Sequence, residues 1–153
     1  MTLLISMAFL SGCVTAKYGS FINDDADEIA AIQSNQKKIA DDLIIKLKEH
    51  YPPASTRLSI KHSISDKDFY GTYMIEALRA VGYGVEEHNK NATAPVTDSL
   101  TLSYILDQPK EDDEYLIYRL TVFVSGAPMS RMYEVAKDGI AYPIGYWVRR
   151  VNI

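Results

Sequence analysis

The sequence predicts an α+β domain, one mostly antiparallel sheet with two helices on one face. Two stretches, roughly 24–50 and 66–81, repeat apolar residues at three- and four-residue steps, the period of an amphipathic helix. Residues 56–61, and most of 100–151, instead alternate apolar with polar residues or run apolar between turn signals, as strands do. The resulting order is α, β, α, β, β, β, β, β. It gathers strands at the end of the chain and so favours segregated helices over a doubly wound sheet.

The first helix spans roughly Asp24–His50. Asn23, Asp24 and Asp25 supply a cap and favourable charge at its start, and Lys46 and Lys48 sit near its end. Ile29, Ile32, Ile39, Leu43 and Leu47 form one stripe, with Gln36 filling the gap. Two readings of the stripe stay open: packing on its own domain, or docking to a partner helix. Tyr51-Pro52-Pro53 stops the helix, because proline cannot donate and restricts its predecessor. Thr56–Lys61 alternates like a strand with one buried face. A second helix follows over Asp66–Val81, with Ser65 and Asp68 resembling a capping box and Gly82 placed as a C′ residue. Its core stripe is Phe69, Tyr70, Tyr73, Met74, Ala77, Leu78 and Val81. Tyr83–Glu87 reads as a short strand.

Beyond this point the chain is β-rich. Asn89–Asp98 is a polar loop, and Leu100, Leu102, Tyr104 and Leu106 lie on one side of a strand. Gln108–Glu114 is an acidic turn, and Tyr115–Val124, apolar on almost both faces, reads as a central strand. Gly126-Ala127-Pro128 turns into Met129–Ala136, and Lys137-Asp138-Gly139 turns again. Tyr146–Val151 is the last strand.

At the other end stands the single cysteine, in Leu10-Ser11-Gly12-Cys13, behind the short apolar run Leu3–Leu10. This reads as a bacterial lipobox: residues 1–12 are a signal peptide, and Cys13 is the acylated N-terminus. No Lys or Arg precedes Cys13, so Met1 alone supplies positive charge. The competing reading is a buried element with a chance thiol. Val14 follows where an Asp would signal inner-membrane retention, which directs the expectation to the periplasmic face of the outer membrane. The domain map is then 1–12 signal peptide, 13–23 tether, 24–50 amphipathic helix and 51–153 α+β domain. A lone cysteine consumed by lipid leaves no disulfide, so the core must hold the fold.

A net charge of −4, from 20 acidic against 16 basic residues, argues against a binder that neutralises nucleic-acid phosphates. His50, His62 and His88 are spaced too widely for a local metal motif and read as surface residues. Glu111–Glu114 lacks the glycine and alternating ligands of a calcium loop. No nucleophile motif, phosphate-cradling loop or metalloprotease motif occurs, so the expectation is no catalytic residue, no metal, no small-molecule substrate and no cofactor beyond lipid on Cys13. The chain is instead rich in interface residue types, with eleven tyrosines and one tryptophan. Tyr146, Trp147, Arg149 and Arg150 form the candidate partner-binding stretch.

Three ordered blocks, Tyr51–Leu58, Asp68–Gly71 and Leu78–Tyr83, resemble the TrbH family of conjugal transfer lipoproteins. Met129–Tyr133 and Pro143–Arg149 are similar to that family's C-terminal blocks. The blocks correspond to a helix stop, a helix start, a C′ glycine and a closing strand, none of them catalytic. The resemblance implies a component of mating-pair formation, within a type IV secretion system that moves DNA and protein between cells. Its partners would be other core subunits of that system, with the outer membrane reached through the lipid. The strand–helix–strand–strand order from Thr56 to Val124 is compatible with a secretin N-domain, by fold-level analogy. The expected function is a structural or assembly component anchored in the outer membrane. A surface-exclusion lipoprotein and a peptidoglycan-remodelling envelope enzyme are the alternatives.

Overall fold

The computed structural model describes residues 17–22, 28–88, 98–109 and 116–150. Two helices pack on a seven-stranded sheet in an α+β arrangement. Helix α1 runs Ile29–His50, and the side chains of Ile39, Leu43 and Leu47 are wholly buried. Each such side chain contributes about 1.5–3 kcal/mol by leaving water. The stripe therefore packs on its own domain, where it joins Leu58, Met74 and Leu120 in one core cluster. Ile29 departs from the sequence stripe and is 40 % exposed. The cap expected at Asn23–Asp25 lies outside the described residues, and Glu28, the N-cap observed, makes no side-chain cap bond.

Strand β1 is Gly19–Ser20, β2 is Arg57–Ile60, α2 is Phe69–Ala80 and β3 is Gly84–Glu86. The remaining strands are β4 (Leu100–Asp107), β5 (Leu116–Val124), β6 (Ala127–Val135) and β7 (Ala141–Arg149). The order across the sheet is β3-β2-β4-β5-β6-β7. From β4 onward the strands form an antiparallel meander, whereas β2 pairs in parallel with both β3 and β4. The parallel pairing of β2 and β3 follows from α2, which carries the chain back between them.

Four differences from the sequence expectation each have a physical cause. Asp68, not Ser65, caps α2: its Oδ1 accepts from Gly71 N at 2.9 Å, while Ser65 makes the turn before it. At the other end α2 closes as expected at Gly82, with φ of 101° and the paired bonds Gly82 N to Arg79 O and Tyr83 N to Leu78 O. The β5–β6 hairpin turns one residue earlier than expected, on Ser125 and Gly126, both at positive φ. The last strand begins at Ala141 rather than Tyr146, because Pro143 and a bulge near Gly145 break the apolar alternation without ending the pairing to β6.

The fourth difference is β1. Its two residues fall in the stretch expected to be tether, yet Gly19 and Ser20 pair in parallel with Ile105 and Leu106 of β4. Strand β2 covers only Leu100–Leu102 of that edge, so β1 takes up the part that β2 leaves open.

Candidate functional site

Two carboxylates, the buried Asp68 and the half-buried Asp42, take up two of the tyrosine hydroxyls that the core encloses. Tyr70, Tyr104, Tyr118 and Tyr133 are all among the largest buried side chains. Tyr104 donates its hydroxyl to Asp68 Oδ2 at 2.7 Å, and Tyr133 donates to Asp42 Oδ2 at 2.7 Å. Burial and the neighbouring carboxylate push both phenols far above their ordinary range, so both stay donors at any physiological pH. Asp68 also accepts from Ser20 N at 3.0 Å, so one carboxylate ties β1, α2 and β4 together. Asp42 is held by Arg131, whose Nη1 lies 2.9 Å from each of its oxygens. Arg131 Nη2 continues to the carbonyl of Gly145 at 2.9 Å, so α1, β6 and β7 are joined in the same way.

His62 lies between these layers, not on the open surface as the sequence suggested. It stacks on Tyr18 at 5.5 Å and meets Tyr104 edge-on at 4.9 Å. Neither ring nitrogen has a hydrogen-bond partner among the described residues. Burial lowers its pKa and His88 adds to that, against the opposing pull of Asp68.

Strand β7 is the edge of the sheet, and its outward row is apolar. Tyr142, Ile144, Tyr146 and Val148 are exposed, Tyr146 by 92 %. The edge itself is shielded from strand addition. Ala141 N donates to Asn35 Oδ1 at 2.9 Å, and the Gly145 carbonyl is taken by Arg131. Counting the antiparallel alternation from the bond between Ala136 N and Ile140 O turns the nitrogen of Pro143 toward the free edge, where it has no proton to give. These backbone positions are therefore closed to an added strand, and the edge presents its side chains.

The structure divides the sequence-predicted patch. Tyr146 and Arg150 are exposed, and Arg149 reaches back to the Tyr51 hydroxyl at 3.3 Å. Trp147 points the other way, half-buried against the core. Ile144 and Val148, which the sequence reading missed, complete the outward row with Tyr142. Cys13 and its lipobox residues Leu10, Ser11 and Gly12 lie outside the described residues. No helix among the described residues is long and apolar enough to cross a membrane.

A second surface lies on the helical side. An open groove of about 500 Å³ runs between α1 and α2, floored by Ala77 and Ala80 and walled by Ile45 and Val81. Ile45 is 63 % exposed and Val81 39 %. Asp41, Glu76 and Lys48 stand on its rim. Asp41, Ile45 and Lys48 follow at i, i+4 and i+7, a sequence signal hidden beside the stronger core stripe.

The class is identified by sequence: the family model that matches the chain is one of conjugal transfer proteins. The family model described as conjugal transfer protein TrbH matches residues 15–151, and the chain is a member of that family. No curated protein and no solved structure matches the chain.

Proposed function

We propose that this conjugal transfer protein is an outer-membrane lipoprotein, acylated at Cys13. It faces the periplasm and serves as a structural and assembly component of the type IV secretion system. The family match over residues 15–151 carries the reading, and the lipobox directly ahead of that span supplies the anchor. On this reading the chain performs no chemistry of its own. It raises the local concentration of a docking surface at the membrane, and the outward row of β7 is that surface for other core subunits.

Cys13→Ser tests the anchor. It should leave a soluble periplasmic protein and lower transfer, and unchanged membrane fractionation with normal transfer contradicts the proposal. Tyr146→Asp with Val148→Asp tests the surface. Both side chains are exposed, so the variant should melt and fractionate as the native chain does while transfer drops. Normal transfer by that variant removes β7 from the docking role.

A further inference from the structure

We propose that the α1–α2 groove is the interface of a symmetric dimer, occupied by the same groove of a second copy of this chain. Such a dimer requires neither lipid on Cys13 nor partner docking at β7.

A two-fold interface must be complementary to itself, so charges that flank an apolar centre match when they are opposite in sign and at equal distances from it. The groove-lining stretch of α1 meets that condition. Asp41 and Lys48 lie on either side of Ile44 and Ile45, and all four line the groove. Antiparallel docking of α1 on the α1 of a second copy, centred between Ile44 and Ile45, sets each Asp41 against the other copy's Lys48. The seven-residue spacing is two helical turns, so both charges project from the same face.

The α2 side of the groove agrees. Tyr73 donates to Asp41 at 3.1 Å and Val81 lines the groove beside Lys48, so the two helices run in the same direction along it. Reversing one copy therefore brings its Lys48 to the level of Asp41 and Tyr73, within a lysine's reach of Glu76 also. Ile45 then enters the trough over Ala77 and Ala80, whose short side chains leave the space. Lys46 is already engaged with Glu49 at 2.6 Å, which leaves Lys48 as the groove's cation.

Sedimentation equilibrium of the full chain, under reducing conditions so that Cys13 cannot link copies, provides the test. A two-turn contact of this kind should give a monomer–dimer equilibrium with a Kd on the order of micromolar. Ile45→Glu should raise the Kd at least about tenfold. Its melting temperature should stay unchanged, since Ile45 is 63 % exposed. Lys48→Glu alone should weaken the dimer, and Asp41→Lys with Lys48→Glu should restore it by exchanging the charges. A chain that stays monomeric at about 500 µM, far above that Kd, overturns the proposal. So does a dimer indifferent to Ile45→Glu. A monomeric chain whose transfer activity nevertheless needs Ile45 assigns the groove to a different partner and equally overturns it.

Discussion

Asp68→Ala should be among the most damaging single changes in this domain, although the side chain is short and sits at a helix end. Three donors converge on Asp68: Gly71 N, Ser20 N and the Tyr104 hydroxyl. Losing the cap costs about 1 kcal/mol. Leaving the Tyr104 hydroxyl buried without a partner adds about 1–3 kcal/mol, whereas Ser20 N lies nearer to water and costs less. A total of about 3–4 kcal/mol, in a domain stable by roughly 5–15 kcal/mol, should lower the melting temperature by about 10 °C. Urea denaturation followed by Trp147 fluorescence measures it, because this is the only tryptophan and it packs against the core. The decisive variant is Asp68→Ala with Tyr104→Phe. Removing the stranded hydroxyl should make the double change cheaper than the sum of the singles by about 1 kcal/mol or more. A loss below about 1 kcal/mol for Asp68→Ala, or strict additivity in the cycle, refutes the three-way tie.

Two further measurements probe the same region. A Cβ on Gly71 would lie 2.0 Å from the Tyr104 hydroxyl oxygen and 2.9 Å from Ile64 Cγ2. Gly71→Ala should therefore cost about 2–3 kcal/mol despite the better helix propensity of alanine, and Tyr104→Phe should recover most of it. A Gly71→Ala variant as stable as the native chain contradicts that packing. The half-buried His62 has a folded-state pKa below its unfolded value, so the unfolded chain binds the extra proton first as pH falls. Stability should then decline as pH drops below about 6.5, and rise again toward neutrality. His62→Phe should flatten the fall in melting temperature that sets in below about pH 6.5, and an unchanged slope excludes His62 as its source.

The fold class was legible because its largest elements announce themselves. The stripe of α1 keeps its period from Ile32 to Leu47, about four turns, Tyr51-Pro52-Pro53 cannot continue a helix, and β5 carries Leu120, Val122 and Val124 on one face. What stayed hidden depends on contacts distant in the chain. Gly19 and Ser20 have no strand signature of their own; they pair with β4 because β2 is too short to fill that edge and Asp68 captures Ser20 N. Asp68 takes the cap from Ser65 for a similar reason, since it alone reaches Tyr104. The polar sequence neighbours of His62 suggest exposure, whereas Tyr18 and Tyr104, both distant in the chain, cover it. On the candidate surface, strand alternation turns Tyr146 outward and Trp147 toward the core, a division that residue type alone does not reveal. Arg149 and Arg150 gave no hint of their different surroundings.

The docking of β1 sets how far a chain held at Cys13 can roam. Gly19 follows that residue by six positions, a leash of about 20 Å when fully drawn. Were β1 to peel from β4, the pivot would move to the start of α1 near Glu28, and the leash would lengthen to about 50 Å. With the chain acylated at Cys13 as proposed, two residues of backbone pairing, one aspartate and a stacked histidine decide whether the domain stays near the membrane or sweeps a hemisphere more than twice as wide.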